Sequence, residues 1–171
     1  MIHVVLFEPE IPQNTGNILR SAIAMNATLH VIHPLGFLLS EQAFKRAKMD
    51  YGDFKSVIQH DDWEDFMLHN PGDYVYVTRY GHHTPHQIDM RSTDKALYLI
   101  FGKESSGLPL ELLADHLDRC VRIPMIADAR SLNLANTVAI MLYEVNRQRN
   151  FVNLSQVEVQ KGEDWLEKHK Q

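Results

Sequence analysis

Ser131-Leu-Asn-Leu-Ala-Asn-Thr-Val-Ala-Ile-Met-Leu-Tyr143-Glu144 follows directly on Arg122-Ile-Pro-Met-Ile-Ala-Asp-Ala-Arg130, which reads as a strand end and a loop. Leu134, Val138, Met141, Leu142 and Val145 recur at helical spacing and mark one apolar face. Asn133, Asn136, Ile140 and Tyr143 continue a second face. Ser131 or Asn133 is the candidate N-cap, since either side-chain oxygen can accept a backbone N–H that the first turn leaves without a partner. A helix start lined with amides and a hydroxyl offers a polar ligand hydrogen bonds and a partial positive charge.

Upstream of this helix the chain alternates strands and helices. Apolar or β-branched runs predict strands over 2–7, 28–33, 57–59, 74–78, 96–101 and 121–123. Helices are predicted over 14–26, where Ile18, Ala22 and Met25 share a face, over 41–48 and 63–69, and briefly after Pro109. Asp61, Asp62, Glu64 and Asp65 suit the first turn of the helix over 63–69, where they complement its dipole. This rhythm implies an α/β fold, a mainly parallel sheet covered by helices on both faces. The 171 residues fit one domain over 1–150 with a polar, less periodic tail over 151–171.

Composition narrows the setting. No apolar run approaches the roughly 18 residues of a membrane-spanning helix, and Met1-Ile-His-Val-Val-Leu-Phe7 reads as a strand, not a leader. The lone Cys120 cannot form an intrachain disulfide, so a reducing cytoplasm is the expected compartment. A net charge of −5 argues mildly against a nucleic-acid partner, although Phe44-Lys-Arg-Ala-Lys48 is a compact basic cluster. Gly81-His-His-Thr-Pro-His86 is histidine-rich, but no carboxylate or thiolate at ligand spacing completes a metal site.

Two further segments share the polar, amide- and hydroxyl-bearing character of the start of the last helix: Pro12-Gln-Asn-Thr-Gly-Asn-Ile-Leu-Arg20 and Leu99-Ile-Phe-Gly-Lys-Glu-Ser-Ser-Gly-Leu-Pro109. Gly102-Lys-Glu-Ser-Ser-Gly107 is neither a Walker A loop nor a dinucleotide fingerprint. Its glycines permit unusual backbone angles and close approach to a flat ligand; an isolated pair would equally mark a tight turn. In this order the three segments resemble the motifs of the SPOUT superfamily of RNA methyltransferases. More narrowly, they are similar to the small tRNA (cytidine/uridine) 2′-O-methyltransferases that act on the wobble nucleotide. Glu8-Pro-Glu-Ile-Pro-Gln-Asn-Thr-Gly-Asn17, Pro34-Leu-Gly-Phe37, Asp50-Tyr51 and Ile123-Pro-Met125 also match, so the resemblance runs from Met1 to about Arg149.

The resemblance implies a deep C-terminal trefoil knot, an obligate homodimer, a tRNA substrate and S-adenosylmethionine as cofactor, with no metal. It places the cofactor against Val77, Thr78, Gly102 and Ile123, with Ser131 and Asn133 closing the site, and the RNA against Asn14, Asn17, Lys45 and Arg46. It gives Arg20, Glu104 and Tyr143 catalytic roles. An arginine cannot readily accept a proton, so Arg20 is expected to stabilise a developing ribose alkoxide while a phosphate or water takes the proton. Its alternative is a solvent-facing helix residue. Glu104 is either a general base or an ionic partner of Arg20 or Arg130. Tyr143 either hydrogen-bonds substrate or packs half-buried. Three rivals remain: the same chemistry on ribosomal RNA, whose enzymes generally carry an added RNA-binding domain for which this chain has no room; a non-catalytic RNA-binding module; and a generic nucleotide-binding α/β protein.

Overall fold

The computed structural model describes residues 1–38 and 56–170. The predicted helix over 41–48, the Asp50-Tyr51 motif and the candidate RNA-binding residues Lys45 and Arg46 lie outside the described residues.

Six strands form one sheet: β1 (Ile2–Phe7), β2 (Ala27–Ile32), β3 (Ile58–His60), β4 (Asp73–Val77), β5 (Leu97–Phe101) and β6 (Cys120–Val121). Their order is β3-β2-β1-β5-β4-β6, and every pairing is parallel. All residues of the central strands β1 and β5 are buried, as both faces of a parallel sheet are covered. On one face, Val4, Leu6, Leu99 and Phe101 pack against Ile18 and Ala22 of α1 (Pro12–Ala24) and Val138, Met141 and Val145 of the last helix. On the other, Val5, Phe7 and Ile100 pack with Phe66 of α2 (Trp63–His69) and Leu113 of α3 (Leu110–Ala114). The final helix, α4, spans Leu134–Gln148.

Among the described residues the predicted elements are recovered, most with displaced ends. α1 begins at Pro12, two residues before the expected start, because proline's fixed φ suits the first helical position. The last strand is Cys120–Val121; Ile123 lies beyond it, in the loop toward Ser131. α2 matches the expected bounds, with Asp62 as N-cap accepting from the Asp65 N–H at 2.8 Å and Glu64 and Asp65 in the first turn. Asn133, not Ser131, caps α4: its Oδ1 accepts from the N–H groups of Ala135 (2.9 Å) and Asn136 (3.3 Å).

A polar feature crosses the second face. His3 on β1, His30 on β2 and His60 on β3 are all buried. His3 pairs in register with Thr28, and His30 with Ile58, so each histidine stands two residues further along than its predecessor. This staircase brings His3 Nδ1 to 2.9 Å from His30 Nε2, and His30 Nδ1 to 2.9 Å from His60 Nε2. His60 Nδ1 faces Asp65 Oδ2 at 3.4 Å. A carboxylate only accepts, which sets the direction: His60 donates to Asp65, His30 to His60, and His3 to His30. Burial holds His3 near pKa 4 and His30 near 3, so both are neutral at pH 7.

Candidate active site

Parallel pairing of β1 with β5, with Leu6 opposite Phe101, places the loops that follow the two strands side by side. Those loops hold each other through their carboxylates. Glu104 accepts from the N–H of Glu10 (2.8 Å), the N–H of Ile11 (3.3 Å) and the Asn14 amide (3.0 Å). Glu10 in return accepts from the Ser105 N–H (2.9 Å) and hydroxyl (2.8 Å), which pulls its carboxyl below the usual range. Lys103 forms an ion pair with Glu8. α1 has no acid in its first turn and no side-chain cap, so Glu104 supplies the negative charge its N-terminus favours from across the loop.

The third motif joins through Asn14. Its Oδ1 accepts from Asn133 Nδ2 at 3.0 Å, while Asn133 Oδ1 caps α4. One network therefore ties α1, the Gly102–Gly107 loop and the N-terminus of α4. Glu104 is engaged by this network and forms no ion pair with Arg130, one of the two pairings expected of it. Asn14 is buried within the same network, although it also borders the adjoining cavity.

That cavity encloses about 550 Å³, within the range typical of small-ligand sites. Val77, Thr78, Gly102, Ile123, Ser131 and Asn133, the six residues expected to hold a cofactor, all border it, as does Glu104. The glycines act differently from the expectation of close approach to a flat ligand. A Cβ on Gly102 would lie 2.1 Å from the carbonyl carbon of Gly107, so the crowding comes from the loop's own backbone. Lys103 and Gly107 exchange backbone hydrogen bonds of 3.2 and 3.0 Å, and Gly107 has φ +76°.

Among the described residues, Asn17, Arg20 and Tyr143 of the expected site are not among those lining the cavity. Asn17 and Arg20 are exposed on α1. Tyr143 is 55% exposed on α4, two turns beyond Thr137, and packs against Phe151 with ring centroids 5.4 Å apart. Sequence reasoning passed over Arg79, Tyr80 and Arg122, which do border the cavity. Their signal was positional: each directly follows, or nearly follows, the C-terminal end of a parallel strand, where α/β sheets place their ligands.

The fold is shared with solved methyltransferase structures. The SpoU rRNA Methylase family matches residues 1–143, and the chain belongs to that family. A Bacillus subtilis protein provisionally assigned as a tRNA (cytidine(34)-2′-O)-methyltransferase is 45% identical over 154 residues, covering 90% of this chain and 96% of its own. A solved structure bearing on the 2-OH methylation of C/U34 on tRNA superposes with a TM-score of 0.78 at 42% identity, over 88% of this chain and 97% of the other. An AdoMet-bound rRNA methyltransferase from Sinorhizobium meliloti superposes with a TM-score of 0.72 at 30% identity, over 85% of this chain and 56% of its own.

Proposed function

We propose that this chain is an S-adenosylmethionine-dependent tRNA 2′-O-methyltransferase acting on the wobble cytidine or uridine. The observation that carries the reading is the junction of Glu104, Asn14 and Asn133 beside a cavity lined by Val77, Thr78, Gly102 and Ile123. Backbone groups at those strand ends suit an adenine, which offers in-plane donors and acceptors without charge. Ser131 and Asn133 add polar groups at the helix start. When bound, S-adenosylmethionine supplies a methyl group already activated on a sulfonium, with a neutral leaving group.

The chain's own task is alignment and exclusion of water. Arg20 stabilises the alkoxide that develops on the ribose 2′-oxygen, a role suited to a forked, permanently charged donor. Asn17, one turn earlier on α1, contacts the RNA, as do Lys45 and Arg46. The Glu104 carboxylate orients α1 relative to the cofactor loop. Tyr143, exposed on α4, offers its phenol to the substrate. Support for a homodimer comes from exposed Ile23 on α1 and Ile140 on α4, at 50% and 42%. Met141, beside Ile140 in the chain, is fully buried and adds nothing to that surface.

The segment after β6 also bears on topology. β6 is separated from β1 by β4 and β5, yet Asn133 bonds to Asn14, just beyond β1. The segment between Val121 and Asn133 therefore returns across the ends of two strands, a return that supports the trefoil knot implied by the family, which further requires this segment to thread a loop. The cytoplasm, where tRNA is available, is the setting we assign.

Labelled S-adenosylmethionine incubated with the protein and, in parallel, with bulk bacterial tRNA or ribosomal RNA, followed by mapping of the modified nucleotide, tests the assignment. Label on the ribose at the wobble position supports it. Label only on ribosomal RNA supports the rival substrate, and no transfer to either RNA rejects the reading.

A further inference from the structure

The turn that follows β4 carries a feature the reaction described above does not use. Tyr80 borders the cavity yet is 58% exposed, an aromatic ring left in solvent at the mouth of a site. Rings of this size are normally buried for their apolar area. The turn that presents it is tightly fixed. Thr78 N–H donates to the Val121 carbonyl at 2.9 Å, and the Tyr80 N–H to Thr78 Oγ1 at 3.3 Å. The Arg122 guanidinium donates to the Arg79 carbonyl at 2.6 Å, and the Arg122 N–H to the His83 carbonyl at 2.8 Å. A Cβ on Gly81 would meet the Val121 carbonyl carbon at 2.5 Å, so the turn lies directly on β6.

Charge gives the second, independent indication. The chain carries a net charge of −5, yet among the described residues four cations, Arg79, Lys103, Arg122 and Arg130, border this cavity with Glu104 as the single acid. Lys103 is paired to Glu8 and Glu104 is held by backbone N–H groups, leaving Arg79, Arg122 and Arg130 as the other cations bordering the cavity. The Arg79 guanidinium carbon lies 5.7 Å from the Tyr80 ring centroid. A preset aromatic face bordered by guanidinium groups is the arrangement that accepts an unstacked base beside its phosphates.

Resting on the methyltransferase reading above, we propose that Tyr80 is the stacking platform for the base of the target nucleotide, with Arg79 and Arg122 fixing the platform and drawing the adjoining phosphates. The base attached to the reacting ribose must lie near the mouth of the cavity, because the methyl group is delivered from inside it. Stacking needs only a π-face, so the platform accepts either pyrimidine. Discrimination against purines then comes from the room between the ring and the opposite wall.

The test compares Tyr80→Ala and Tyr80→Phe in the full-length protein, with unmodified bulk bacterial tRNA and S-adenosylhomocysteine as separate probes. Stacking energies of a base on an aromatic ring predict that Tyr80→Ala weakens tRNA binding about 5- to 100-fold, with S-adenosylhomocysteine affinity changed less than about two-fold. Tyr80→Phe retains tRNA affinity, because the ring remains. Three results overturn the proposal: unchanged tRNA affinity in Tyr80→Ala, an equal loss of S-adenosylhomocysteine affinity, or a Tyr80→Phe variant as impaired as Tyr80→Ala. A wild-type protein that neither binds nor methylates tRNA removes the underlying assignment and this inference with it. An active wild-type enzyme with an unimpaired Tyr80→Ala variant removes this inference alone.

Discussion

Acidification should destabilise this protein well above the pH at which its carboxylates protonate. His3 and His30 are 8% and 1% exposed and are held near pKa 4 and 3 by burial. His60 is lowered by burial too, against the opposing pull of Asp65. Unfolded, each histidine titrates near 6.5. A folded pKa below the unfolded one means that the unfolded chain binds more protons, so stability falls as pH drops through 6.5 and keeps falling until the folded groups protonate. From pH 7 to pH 5, one such histidine costs about 2 kcal/mol, and His3 and His30 together about 3–4 kcal/mol. Typical domain stabilities are about 5–15 kcal/mol, so a large fraction is at stake. Carboxylates that are lowered in the fold, such as Glu10 and Glu144, act mainly below their ordinary range near 4.5 and leave this window to the histidines. Urea unfolding followed by circular dichroism at pH 7, 6 and 5, at one protein concentration, measures the effect. A His30→Phe variant should show a shallower dependence, having lost one titrating group. A change under about 1 kcal/mol between pH 7 and 5 would refute the assignment of neutral, hydrogen-bonded imidazoles.

Arg20→Ala should lower single-turnover methylation about 10²–10³-fold while S-adenosylhomocysteine affinity by calorimetry stays near wild type; wild-type turnover would make Arg20 an ordinary surface residue. Gly102→Val provides the contrast, since a Cβ would collide with the Gly107 backbone at 2.1 Å, and cofactor affinity itself should fall. Glu104→Gln replaces an acceptor of three hydrogen bonds with a group that also donates, and should lower stability by roughly 1.5–3 kcal/mol. Lost turnover at unchanged thermal midpoint would instead give Glu104 a proton-transfer role. Light scattering at low micromolar concentration should return the mass of two chains, and a monomeric mass contradicts the homodimer.

The fold was legible because its signal is local. Ile2–Phe7 and Leu97–Phe101 read as strands from short apolar runs, and α4 from five residues at helical spacing. Element ends were less legible where a tertiary partner sets them. α1 starts at Pro12 with its charge complement supplied by Glu104, about ninety positions away in the chain. The histidine staircase was invisible for a related reason. His3, His30 and His60 become neighbours only once the parallel register of β1, β2 and β3 is known, and each alone reads as one more residue in an apolar strand.

The site divides along the same line. Residues that lie in the motif loops, Gly102, Ser131 and Asn133 among them, were identified through motif resemblance and do border one cavity. What they do to each other was not legible. Glu104 in isolation is an acid with a choice of partners; the β1–β5 pairing is what delivers two backbone N–H groups and the Asn14 amide to it. The Asn14–Asn133 bond then links the start of α1 to the start of α4. These links have a mechanical consequence. α1 bears Arg20 and α4 is capped by a residue that borders the cavity, so a displacement of the Gly102–Gly107 loop acts on both helix starts at once. Under the proposed reaction, the alignment of methyl group and ribose oxygen depends on that rigidity as much as on any residue that touches them, because misplacement by about 1 Å is enough to cost on the order of 10²-fold in rate.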